Sequence, residues 1–195
     1  MRTLRPVLVL LLFFTVLTGL VYPLAVTGIA NLVFPHRAAG SLVVRDGRVA
    51  GSRLIGQPFA APGHFWSRPS ATVPAPYAAD ASAGSNLGPR NPALLAAVRS
   101  RIAALRAADP TARGPVPVDL VTTSASGLDP EISPAAAEYQ VPRVARASGL
   151  SPAVVREIVR RHTRGRTLGL LGEPGVNVLE VNLELDARAR AGRAG

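Results

Sequence analysis

From Val7 to Phe34 the chain has no charged side chain, an uninterrupted run of 28 residues. A helix that crosses a bilayer needs about 20 apolar residues, and the apolar core of a cleavable signal is shorter still. Between Val7 and Val26, 14 residues are Leu, Val or Phe. At roughly −0.3 to −0.6 kcal/mol each, they favour insertion by about 4 to 8 kcal/mol, which outweighs Thr15, Thr18 and Gly19. Gly28-Ile29-Ala30 has the small-x-small form of a cleavage site, so a signal peptide is the alternative; the length of the run favours an anchor.

Arg2 and Arg5 precede this segment while Arg37, Arg45, Arg48 and Arg53 follow it, so the positive-inside count does not fix its direction. A short tail tends to stay inside, and a long C-terminal domain crosses largely regardless of its charge. The expected layout is a cytoplasmic tail at 1–6, a transmembrane helix at 7–34, an extracytoplasmic domain at 35–186 and a disordered tail at 187–195. Thr15, Thr18, Gly19 and Tyr22 fall at i, i+3, i+4 and i+7, a stripe of small and polar groups suited to a partner helix. A tolerated scatter of threonines is the plainer reading. Pro23 should kink the helix, because it removes a backbone donor and crowds the carbonyl four residues back.

Beyond Phe34 the sequence turns to Gly, Pro, Ala and Arg. Asp46-Gly47 between Leu42–Val44 and Arg48–Ala50 signals a β-hairpin. The proline-rich stretch from Gly56 to Pro92 should be irregular. Asn91-Pro92, Ser133-Pro134 and Ser151-Pro152 each set a capping side chain before a proline, the pattern of a helix start. The first helix carries Leu95, Val98, Ile102 and Leu105; the last carries Val154, Val155, Ile158, Val159 and His162, which places His162 at the edge of an apolar stripe. Pro142 is expected to break the middle helix. Strands are expected at Pro117–Thr123 and at Val176–Leu185, where Leu179, Val181, Leu183 and Leu185 alternate with polar residues. The fold class is α+β: a single N-terminal transmembrane helix followed by one α+β domain.

Several chemistries are excluded or disfavoured. Without cysteine there are no disulfides or thiolate sites, and without lysine no phosphate-binding G-x-x-x-x-G-K-[ST] loop can be built. The net charge of +10 comes from arginines spread along the chain and not interleaved with aromatics, so no nucleic-acid partner is expected. His36, His64 and His162 are isolated in sequence, and no metal is expected. A membrane-tethered serine hydrolase using Ser124 or Ser126 with His162 remains a rival reading, though the G-x-S-x-G elbow is missing.

The stretches GSRLIGQPF (Gly51 to Phe59), FWSRPSA (Phe65 to Ala71), GSNLGPRNP (Gly84 to Pro92), PVPVDLVTTSASGLDPEISPAAAEYQVPRVA (Pro115 to Ala145) and GEPGVNVLEVNLELD (Gly172 to Asp186) occur in one order. In that order the sequence resembles the KdpC family, the C subunit of the bacterial potassium-transporting P-type ATPase. It departs at Ala83, where the family more often has glycine.

The resemblance implies a non-catalytic accessory subunit in the bacterial inner membrane. Its partners would be a potassium-channel-like subunit, a P-type ATPase subunit, a small membrane subunit and membrane lipid. It also implies a role as catalytic chaperone that promotes ATP binding by the ATPase subunit. The position carried over for nucleotide binding is Gln140, whose amide could pair with an adenine edge. Its plainer reading is a surface residue capping a kink at Pro142. If the domain sits over the channel mouth, Asp129, Glu131 and Glu138 are the acids that could face potassium, and the expectation is that the domain shapes the mouth without concentrating the ion.

Overall fold

The uncharged run folds as a continuous helix from Leu4 to Val33 in the computed structural model, which describes residues 3–194. Met1 and Arg2 of the expected cytoplasmic tail, and Gly195 of the expected disordered tail, lie outside the described residues. Within this helix α1 (Leu4–Val16) passes into α2 (Tyr22–Val33) through a π-helical turn at Leu17–Val21. The Tyr22 amide donates to the Leu17 carbonyl, five residues back. Pro23 explains the turn: it has no N–H to give, and widening the turn before it relieves the crowding at the preceding carbonyl. The expected kink is thus realised as a wide turn.

The chain forms two units, Met1–Ser52 and Arg53–Gly195. In the first, a short helix α3 (Pro35–Ala38) follows the long one, and β1 (Leu42–Arg45) pairs antiparallel with β2 (Arg48–Ser52). Asp46 and Gly47 both have positive φ, 50° and 73°, as a two-residue turn matched to strand twist requires.

The second unit contains α4 (Pro92–Ala108), α5 (Pro134–Ser148), α6 (Pro152–Arg161) and α7 (Val178–Ala194). Its sheet has the order β3 (Glu131–Ile132), β5 (Gly175–Asn177), β4 (Thr163–Arg164), all antiparallel. The helix starts are those of the sequence: Asn91 accepts from the Ala93 amide, Ser133 from Ala136 and Ser151 from Val154. The core gathers Phe65, Leu120, Ile132 and Val176 with the inner faces of α5, α6 and α7.

Three expectations are corrected. The segment at Pro117–Thr123 is no strand but a 3₁₀ turn at Val118–Leu120. Its later carbonyls are taken by guanidinium groups, Val121 by Arg101 at 2.8 Å and Thr122 and Thr123 by Arg68 at 3.3 and 3.2 Å, so no neighbouring strand is needed to satisfy them. Of Val176–Leu185 only the first residues are strand; α7 takes over at Val178 and runs to Ala194, through residues expected to fray. Val178, Leu179, Val181, Asn182 and Leu185 are the buried set, and the 3.6-residue spacing of Val178, Val181, Asn182 and Leu185 is the one that the alternating leucines masked. Nor does Pro142 break α5, which continues to Ser148 and stops at Gly149, φ 73°. Pro142 lies on the exposed side of the helix, where water can satisfy the carbonyl it leaves without a donor.

Candidate functional site

Gln140 sits on the inner face of α5 and is 1 % exposed. Its Oε1 accepts from the Trp66 amide at 2.8 Å and its Nε2 donates to the Trp66 carbonyl at 3.2 Å and to the Ala136 carbonyl at 3.3 Å. The surface-cap reading is therefore replaced by a core role. A side-chain amide here does what a neighbouring strand would do, pairing both polar groups of one extended residue. Arg143, one turn on, donates to the same Oε1 at 2.7 Å and to the Pro62 carbonyl at 2.6 Å, and its guanidinium lies 4.6 Å from the Trp66 ring centroid. Burial pushes Arg143 down to about 10, so the buried side chain remains a cation at neutral pH, held by the ring and the two acceptors.

A second amide repeats the pattern on the adjacent residue. Asn182 of α7 accepts from the Phe65 amide at 2.8 Å and donates to the Phe65 carbonyl at 3.0 Å. Phe65 and Trp66 are thus gripped in succession from two helices. Sequence reading missed Asn182; its signal was a lone amide within an apolar 3.6-residue spacing. It missed the start of α7 as well, although Asn177 followed by Glu180 is a capping pattern, and the Glu180 amide does donate to Asn177 Oδ1 at 3.1 Å.

Tyr139, half-buried against the core, and the exposed Pro142 flank Gln140 and Val141 in sequence. They line an open groove of about 580 Å³ together with Thr111, Arg113, Val116 and Glu138. Gln140 does not reach it. With Trp66, Arg143 and Ala136 on its amide, Gln140 meets an adenine edge only if those bonds are given up.

The three acids are each engaged by arginine: Asp129 with Arg68 at 3.2 Å, Glu131 with Arg164 at 2.7 Å and Glu138 with Arg156 at 2.7 Å. Asp109, 3 % exposed, accepts from the Thr111 amide and hydroxyl and from Arg146 at 2.8 Å. Burial raises its pKa, but the Thr111 and Arg146 hydrogen bonds and the Arg146 charge together hold it below the usual carboxylate range.

The hydrolase residues are not brought together. Ser124 and Ser126 accept from the Gly127 and Leu128 amides, closing a turn, while His162 lies 2.8 Å from Glu184 Oε2. Gly127 has φ 68°, and a Cβ there would stand 2.6 Å from the Ala83 carbonyl, so that turn serves backbone packing. Among the described residues no three His, Cys, Asp or Glu side chains are grouped to hold a metal. Thr15, Thr18, Gly19 and Tyr22 are all exposed; Thr18 turns its hydroxyl back to the Phe14 carbonyl at 2.6 Å. The π-helical turn at Leu17–Val21 lies within this stripe.

A family model described as "KdpC: K+-transporting ATPase, c chain" matches residues 4–187. A protein of Sorangium cellulosum is 69 % identical over 94 % of this chain and 96 % of its own length. One of Variovorax paradoxus is 63 % identical over 97 % and 98 %, and one of Burkholderia ambifaria 58 % identical over 98 % and 100 %. All three are named "Potassium-transporting ATPase KdpC subunit".

Proposed function

Because the chain belongs to the KdpC family, a membrane-associated subunit of the K+-transporting ATPase, we propose that it is a non-catalytic accessory subunit that stabilises the complex and acts as catalytic chaperone for ATP binding. The observation that carries this reading is the match along nearly the whole chain, anchor included, to relatives of the same length that are named as subunits. Its partners are a channel-like subunit with the potassium path, a P-type ATPase subunit that binds and hydrolyses ATP, and a small membrane subunit. The chain spans the bacterial inner membrane once, with its N-terminus cytoplasmic and its α+β domain outside.

The geometry supports an assembly role. The spanning helix is bare along its length, and the stripe of Thr15, Thr18, Gly19 and Tyr22 offers a close-packing face to a partner helix. On the domain, Leu168, Leu170 and Leu171 stay exposed around a turn in which Leu168 and Gly169 have φ of 54° and 74°, an aliphatic surface of the kind subunits cover. Gln140 influences nucleotide binding indirectly, by fixing Trp66 and Arg143.

Affinity purification of the tagged chain in mild detergent tests the reading: two much larger membrane proteins should accompany it. A solitary monomer with esterase activity would sink it. The domain shapes the mouth of the channel without concentrating the ion, since Asp129, Glu131 and Glu138 are neutralised by arginine. Replacing each acid together with its arginine partner (Asp129 with Arg68, Glu131 with Arg164, Glu138 with Arg156) by Asn or Gln in the whole complex should therefore leave the apparent potassium affinity unchanged, and a large loss would overturn that part.

A further inference from the structure

We infer that the hairpin β1–β2 is a membrane-surface element, laid in the interface of an anionic bilayer with its valines toward the acyl chains and its arginines on lipid phosphates. The inference rests on the spanning helix alone and goes beyond the subunit role.

Length places the hairpin. The helix Leu4–Val33 has 30 residues, about 45 Å at 1.5 Å per residue. That is close to the whole bilayer with headgroups, about 40–45 Å, and well above the roughly 30 Å of hydrocarbon. Its C-terminal end therefore emerges at headgroup level. The hairpin is fastened there by short links: the Ser41 amide donates to the His36 carbonyl at 2.9 Å, and the Ser52 hydroxyl to the Gly40 carbonyl at 2.7 Å.

The surface is amphipathic. Val44 and Val49 are cross-strand partners, 62 % and 61 % exposed, and Leu42 stands on the same strand as Val44, two residues before it and also exposed. Arg45 and Arg48 are the next cross-strand pair, beside the turn, and alternation along a strand sends them, with the half-buried Val43, to the opposite face. A two-stranded hairpin is marginal in water without something against its apolar face, and Ser41 is the one buried residue among the described residues of this unit.

Charge identifies the cover. Around the hairpin Arg37, Arg45 and Arg48 outnumber Asp46, and Arg37 lies 5.7 Å from the Phe34 ring centroid, an aromatic-basic pair of the kind that anchors a helix end at the interface. Arginine stems run along apolar surface while their heads reach phosphate. An amphipathic surface of this kind, apolar on one side and basic on the other, binds at the boundary of headgroups and acyl chains.

The chain contains no cysteine, so a single introduced thiol can be labelled alone. The full-length Val49→Cys variant, carrying a nitroxide, is reconstituted in phosphatidylcholine vesicles with increasing phosphatidylglycerol. Leu12→Cys serves as the hydrocarbon reference and Asp80→Cys as the aqueous one. The Val49 label should become rich in oxygen and poor in nickel complex, as at Leu12, at moderate phosphatidylglycerol. Arg37→Gln and Arg48→Gln should each raise the phosphatidylglycerol needed by about fivefold, the equivalent of about 1 kcal/mol per basic side chain at an anionic surface. Aqueous accessibility at every composition overturns the inference. So does protection without phosphatidylglycerol, which removes the phosphates, or protection only with other subunits present, which makes the cover a protein. A Leu12 label accessible to nickel would instead remove the spanning helix on which the inference stands.

Discussion

At Gln140 one side chain replaces a strand, and the energetic consequence follows from what it would leave behind. Gln140→Leu keeps the volume but strips partners from the half-buried amide and carbonyl of Trp66. A fully buried unpaired backbone group costs about 1–3 kcal/mol, and since water can partly reach these two, the domain should lose about 1 to 3 kcal/mol. Denaturant titration of the full chain, followed by the fluorescence of Trp66, the one tryptophan, reads this directly. Asp109 gives the molecule an acid limb. Its folded pKa lies below the ordinary value, so its contribution is fully present above about pH 4 and is lost as pH falls through the depressed folded value. Asp109→Asn should be less stable at neutral pH and lose less between about pH 4 and pH 2; equal acid slopes for the two proteins would refute the assignment.

Among the elements, those with local causes were legible and those with distant causes were not. The helix starts at Asn91, Ser133 and Ser151 and the turn at Asp46-Gly47 depend on neighbours two or three residues away, and each formed where the sequence put it. In α7 two periods coexist, and the buried Asn182 belongs to the helical one. The segment at Val118–Leu120 has strand composition, yet Arg68 and Arg101, remote in sequence, satisfy the carbonyls that follow it. Nothing adjacent announces that Gln140 will meet Trp66, 74 residues away, or that Asn182 will meet Phe65, 117 residues away. The persistence of α5 through Pro142 makes a prediction of its own. Alanine restores one backbone hydrogen bond at an exposed helical site, and since proline costs about 3 kcal/mol there relative to alanine, Pro142→Ala should raise stability by about 1–3 kcal/mol in thermal unfolding.

For the molecule as a whole, the buried face of α7 ends at Leu185, so the residues after Asp186 contribute little to the core. A chain ending at Asp186 should keep the cooperative unfolding of the full protein, whereas one ending at Val181 should lose it, as circular dichroism on the two truncations would reveal. Phe65 and Trp66 belong to the early, irregular third of the chain, but the amides that grip them come from α5 and from the last helix. A polypeptide synthesised from its N-terminus therefore presents this loop long before the groups that order it. The loop must wait in water until Asn182 emerges, which makes synthesis of α7 the event that closes the domain. A truncated or stalled chain, lacking Asn182, carries an unfastened loop and is distinguishable from a finished one by that defect.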